Sequence, residues 1–128
     1  MRMKRIIAIL IFVLSVCGVS AQSNAPVLQL DTLEYNFGDI PHKSPQVSCE
    51  FEFRNTGSAP LVFIKSTTSC TCTKVEYPRK PTLPGATGKI VVIYEPSKKE
   101  SGVFYKEIDL YTNTPQKRHT LIIRGRAI

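Results

Sequence analysis

Residues 47–53 read Val-Ser-Cys-Glu-Phe-Glu-Phe, apolar at every second position. In an extended chain that places Val47, Cys49, Phe51 and Phe53 on one face and Ser48, Glu50 and Glu52 on the other. A half-buried strand satisfies this pattern and a helix does not. The rest of the chain agrees. Short apolar runs, at Val27–Leu30, Leu33–Phe37, Leu61–Ile64, Ile90–Tyr94, Val103–Tyr111 and His119–Arg124, are separated by turn residues. Breaks fall at Gly38-Asp39-Ile40-Pro41, Asn55-Thr56-Gly57-Ser58, the proline-rich stretch from Tyr77 to Gly85, Glu95-Pro96 and Thr112-Asn113-Thr114-Pro115. Regular spacing of strands and turns predicts an all-β sandwich. Leu61-Val62-Phe63-Ile64 is apolar on both faces and is expected to be covered on both. Thr67–Thr73 has β propensity and is expected to extend as a strand carrying Cys70 and Cys72.

The first 21 residues have a different character. Arg2, Lys4 and Arg5 precede an apolar run from Ile6 to Val16, and Val19-Ser20-Ala21 closes the segment with small residues. This is the pattern of a secretory signal peptide, with cleavage expected after Ala21. The apolar run is too short to span a bilayer, so no transmembrane span is expected in the mature chain. A lipoprotein cut before Cys17 is the rival reading, and bulky Val16 fits it poorly. Residues 22–128 are then one domain, exported to the periplasm or the cell surface.

The formal charge of +7 falls once the basic head is removed, leaving 14 basic residues against 10 acidic ones. So mild an excess names no partner. Export and the absence of a recognition motif argue against nucleic acid. With seven or eight strands in about a hundred residues, an immunoglobulin-like β-sandwich fits. The antibody variant does not, because the chain has no Trp and no Cys in the penultimate strand to bridge to Cys49.

The order of several short motifs resembles a known family. Phe37-Gly38-Asp39-Ile40 is similar to its opening motif. Phe53-Arg54-Asn55-Thr56-Gly57, followed by Pro60-Leu61, resembles F-x-N-x-G…P-L. Ser69-Cys70-Thr71-Cys72-Thr73 resembles S-C-G-C-T, and Pro84-Gly85, Gly102, Lys106, Ile108 and Thr112-Asn113 follow in order. The family is the bacterial domain of unknown function 1573, akin to the Hydin and sperm-protein type of β-sandwich. The resemblance implies an immunoglobulin-like fold and export, and no reaction. Thr71 departs from it, standing where the family usually has Gly.

Cleavage after Ala21 would remove Cys17 and leave Cys49, Cys70 and Cys72, an odd number for an oxidising compartment. In an extended strand, Cys70 and Cys72 would lie about 7 Å apart at Cα, beyond the range of a disulfide, roughly 4.4–6.8 Å. A bond between them therefore needs a bend, which Thr71 should resist, and is expected to be strained and easily reduced. Two free thiolates on one face could instead hold a soft metal, or the pair could simply pack a strand end. Cys49, on the apolar face with Phe51 and Phe53, reads as a core thiol. His42 and His119 are the only histidines, and no nucleophile or paired-carboxylate motif surrounds either. The basic groups Lys98-Lys99 and Arg118, Arg124 and Arg126 read as solvated, with contact to anionic glycans or lipid headgroups as the sharper alternative. The sequence therefore predicts a non-catalytic exported module, without cofactor, that binds another envelope protein or a surface component. The alternative is a thiol-redox or soft-metal protein using Cys70 and Cys72.

Overall fold

The computed structural model describes residues 24–41, 43–96 and 101–128. The expected signal peptide, Cys17, His42 and Lys98-Lys99 lie outside the described residues. Those described contain eight strands and no helix: β1 (Leu28–Leu30), β2 (Glu34–Ile40), β3 (Val47–Asn55), β4 (Phe63–Thr68), β5 (Thr73–Glu76), β6 (Thr87–Tyr94), β7 (Gly102–Thr112) and β8 (Arg118–Ala127). They form two four-stranded sheets, ordered β1-β3-β6-β5 and β2-β8-β7-β4. All pairings are antiparallel except β2 with β8, which is parallel. The architecture is an immunoglobulin-like sandwich.

Period two decides which side chains meet. From β3, Cys49, Phe51 and Phe53 turn inward, and from β6 so do Ile90, Val92 and Tyr94. The opposite sheet presents Phe104, Ile108, Leu110, Leu121 and Ile123. Aromatic rings bridge the layers. Tyr94 stacks on Phe104 at 4.4 Å between centroids, and Phe53 meets the edge of Phe63 at 5.1 Å. Full burial of side chains this size contributes about 1.5–3 kcal/mol each. With no disulfide between the sheets, this burial holds the layers together.

Four stretches depart from the sequence reading. Leu61 makes only an isolated bridge to Thr82, and the strand starts at Phe63. Ile64 is 61% exposed where the β4–β7 register shifts, so the run is not covered on both faces. The segment 67–73 is no continuous strand: β4 ends at Thr68, the chain turns, and β5 begins in the other sheet. Nor does Gly38 end the second strand. A bulge there, with Gly38 at φ +70°, lets β2 continue to Ile40. Finally, β3 runs on through Asn55, which the turn-like Asn-Thr-Gly-Ser sequence concealed.

Asn55 continues the inward parity of β3 and is fully buried. Its Oδ1 accepts the backbone N–H of Val27 at 3.2 Å and of Gly57 at 3.0 Å. Its Nδ2 donates to the carbonyls of Ala59 at 2.8 Å and Thr82 at 2.9 Å. All four hydrogen-bonding positions of the amide are filled. The turn it braces runs against the chain's first described segment. A Cβ on Gly57 would sit 2.2 Å from the Ala25 carbonyl oxygen, which is why glycine stands there. Gly85, at φ +81°, completes a turn in which the Ala86 N–H meets the Leu83 carbonyl at 2.9 Å; Pro84 presets the first corner.

Replacing Asn55 strands several buried backbone groups at once. Asn55→Ala is expected to lower unfolding stability by about 4 kcal/mol, at roughly 1 kcal/mol for each of the four lost bonds. Urea denaturation followed by circular dichroism measures it; a loss no larger than that of an exposed substitution such as Thr56→Ala would show that the amide is not the brace.

Candidate functional site: the Cys70–Cys72 corner

Strands β4 and β5 are each the outermost strand of their own sheet. The chain passes between the sheets at residues 69–72, and this crossover holds the cysteine pair. Val47, Tyr94 and Thr73 share a register level, so the corner lies at the end of the sandwich opposite Asn55.

Cys70 and Cys72 are joined as a disulfide, with their Cα atoms 5.2 Å apart. The expected obstacle disappears because the backbone turns instead of extending. The Thr73 N–H meets the Cys70 carbonyl at 3.2 Å, and the Thr68 hydroxyl donates to the same carbonyl at 2.8 Å. Among the described non-glycine residues only Lys117 has positive φ. Thr71 therefore occupies ordinary backbone space, and the turn does not require Gly.

Hydrogen bonds tie the corner to both sheets. On one side, the Ser69 N–H donates to the Glu107 carbonyl at 3.2 Å, and the Glu107 N–H returns a bond to Ser69 Oγ at 3.2 Å. On the other, the Glu95 N–H meets the Cys72 carbonyl at 2.9 Å. The Cys72 N–H points back at Cys70 Sγ, 3.2 Å away. Both cysteines are half-buried and Thr71 between them is exposed. Cys72 packs against the core cluster. A three-residue loop removes little entropy from the unfolded chain, about 1.6 kcal/mol against about 4.7 for a hundred-residue loop. The disulfide is therefore a minor contributor to stability by that route.

Bonded to each other, the two sulfurs present no thiolate pair to a metal. Among the described residues no group of three or more His, Cys, Asp or Glu could hold one. Cys49 is the free thiol, buried on β3 opposite Val92. Burial pushes its pKa up to about 12, so it stays a protonated thiol at neutral pH.

His119 is buried, with Nε2 2.9 Å from Thr114 Oγ1, which in turn lies 2.8 Å from Thr112 Oγ1. A hydroxyl beside an imidazole resembles half of a nucleophilic site, and all three residues are buried. Burial also lowers the His119 pKa. The sequence reading passed over this chain because Thr112-Asn113-Thr114-Pro115 looked only like a breaker. The signal was available in His119, which shares the inward parity of Leu121 and Ile123.

The basic groups are largely matched. Arg124 pairs with Glu34, and Arg126 forms a two-pronged contact with Asp39 at 2.8 and 2.9 Å. Both acids lie on β2, so the parallel pairing sets the charges side by side.

Beside the corner, an open groove runs between the β4 and β5 edges. Ser66, Val75, Glu76, Tyr77 and Arg79 line it, and the rings of Phe63 and Tyr77, 5.5 Å apart, join the two edges.

Residues 28–127 match the family model of DUF1573, a protein of unknown function. The chain belongs to the DUF1573 family. No curated protein matches it. Among solved structures, a protein of unknown function from Porphyromonas gingivalis W83 is similar, with a TM-score of 0.71 and 18% identity over 85% of this chain and 51% of that one. The Vibrio cholerae protease VesB has a TM-score of 0.61 and 17% identity, over 81% of this chain and 32% of its own. The periplasmic chaperone SfaE has a TM-score of 0.57 and 9% identity, over 79% and 58%. The chain thus spans about half of the first and a third of the second. A protease and a chaperone sharing one β-sandwich show a common fold and no common activity.

His119 gives this DUF1573 domain a pH signature. The unfolded chain binds a proton near the ordinary imidazole value of about 6.5, and the folded chain resists it to lower pH. Stability is therefore expected to fall as pH drops from about 7 toward 5, and His119→Asn should flatten that part of the profile. Thermal melts of both proteins across the range test this; equal slopes would remove His119 as the cause.

Proposed function

We propose that this chain is an exported, non-catalytic module that binds an extended segment of another envelope protein along the flank where β4 and β5 lie side by side. The observation that carries the reading is the open edge of β5. The Cys72–Glu95 bond fixes the phase of the β5–β6 ladder, so the next residues that turn both backbone groups away from β6 are Thr73 and Val75. The Thr73 N–H is taken by the Cys70 carbonyl. Val75 is left offering its N–H and C=O to an incoming strand, with the groove beside it to receive alternate side chains. At four residues, with Lys74 and Glu76 on its outer face, β5 is short and charged. Natural sheets use those features to discourage indiscriminate edge pairing while leaving room for a chosen partner.

Further support comes from what surrounds the flank. The inward-facing hydroxyls and imidazole are buried, and Arg124 and Arg126 of β8 pair with Glu34 and Asp39. The basic head, apolar run and small residues of positions 1–21 fit export, and SfaE, which shares the fold, is a periplasmic chaperone. Among the described residues no helix is long and apolar enough to cross a membrane.

Two measurements test the reading. Immobilised mature chain is expected to retain a partner from envelope extract, and Val75→Pro, which removes an edge donor without breaking the β6 ladder, should lose it while keeping the wild-type circular dichroism spectrum. Equal retention by the folded variant would move the binding surface elsewhere. For export, the intact mass of the envelope-fraction protein should begin at Gln22; a full-length chain in the cytosolic fraction would refute it.

A further inference from the structure

We propose that Cys70 and Cys72 form an exchangeable disulfide that accepts two electrons from a dithiol. Three observations carry this, and none depends on which partner the β5 edge takes.

The first is access. The pair sits at an exposed corner with Thr71 at its tip, whereas Cys49 is enclosed by the core. The second is that the corner does not rely on the bond. Ser69 is held by Glu107, Cys70 by Thr68 and Thr73, and Cys72 by Glu95, all through backbone carbonyls, N–H groups or hydroxyls. Opening the disulfide leaves every one of these in place. The crosslink also closes only three residues, too short a loop for its main use to be restraining the unfolded chain.

The third observation distinguishes the two sulfurs. Cys72 packs against the core cluster, while Cys70 Sγ lies 3.2 Å from the Cys72 N–H. A donor at that position favours a thiolate on Cys70 and lowers its proton affinity. The thiol of lower pKa is the better leaving group.

The exchange then proceeds in two steps. A thiolate of the incoming dithiol attacks Cys72 Sγ. The Cys70–Cys72 bond breaks, a mixed disulfide forms at Cys72, and Cys70 leaves as a thiolate under the Cys72 N–H. The second thiolate of the dithiol attacks its own bonded sulfur and releases Cys72. Two electrons have passed to the pair, and the dithiol has become a disulfide. The two protons it gave up are available, through solvent, to Cys70 and Cys72.

Dithiothreitol is the probe. The mature chain is equilibrated in mixtures of its reduced and oxidised forms without denaturant, quenched by alkylation and weighed. Cys70 and Cys72 are expected to take up two alkyl groups together and Cys49 none, with the oxidised mass restored on return to oxidised dithiothreitol and the circular dichroism spectrum unchanged throughout. A pair that opens only in urea, or whose opening unfolds the domain, overturns the proposal. The leaving group is checked separately. At pH 7, Cys70 in Cys72→Ser should alkylate faster than Cys72 in Cys70→Ser, by about threefold for each tenfold gain in thiolate fraction because the more acidic thiolate is the weaker nucleophile; the reverse order overturns the assignment of Cys70.

Discussion

The buried amide of Asn55 is the polar contact around which one end of the sandwich is built. Four hydrogen bonds join it to the segment before β1, the turn after β3 and the loop before β6. Each of those segments leaves a backbone group inside that no strand ladder can reach, and a buried unpaired group costs about 1–3 kcal/mol. Asn113 does related work nearby. Its side chain accepts the Val62 N–H and donates to the Pro60 carbonyl, at 2.8 and 3.0 Å. Between them, two asparagines hold the irregular stretch from Ala59 to Val62, which explains why the apolar Leu61–Ile64 run does not become a full strand. Leu61 is paired with the Thr82 backbone, and the Val62 N–H is taken by the Asn113 side chain.

The far end is organised differently. There the crossing from β4 to β5 is made by a tight turn whose backbone bonds reach into both sheets, and the covalent link is added to a turn already held. One end is thus fixed by fully satisfied buried polar groups and the other by exposed local ones.

How much of this could be read from residue order follows from the range of each interaction. Period two is local, so the inward sets of β3 and β7 were legible from Val47–Phe53 and Phe104–Leu110. The two-layer architecture followed from strand number, and the family motifs ran in the right order. Asn55 was misread because Asn-Thr-Gly-Ser has the composition of a turn, while its burial is set by chain segments 27 residues distant on either side, roughly, in sequence. The bulge at Gly38 was hidden for the same reason. What keeps β2 going is its pairing with β8, Asp39 beside Arg126 and Ile40 beside Ala127, and no local window contains both strands. At Cys70 and Cys72 the spacing was legible and the conformation was not. The estimate of about 7 Å assumed an extended chain, and the bend comes from the need to change sheets.

Cys49, Cys70 and Cys72 show how strongly placement governs one functional group. On β3, opposite Val92, desolvation keeps the Cys49 thiol protonated and leaves it equivalent to a small apolar side chain. A few residues beyond the end of β4, the same group sits beside an N–H donor and solvent, where a thiolate is stabilised. Among the described residues the unpaired thiol, Cys49, is the buried one, and the bonded pair lies at the half-exposed corner. The corner also abuts the groove between the two open edges. Thr73, the first residue of β5, gives its N–H to the Cys70 carbonyl, so the turn that sets the cysteine spacing also sets which backbone groups of β5 remain for a partner. Edge and disulfide are therefore consequences of one turn, and a change in its geometry would be felt by both.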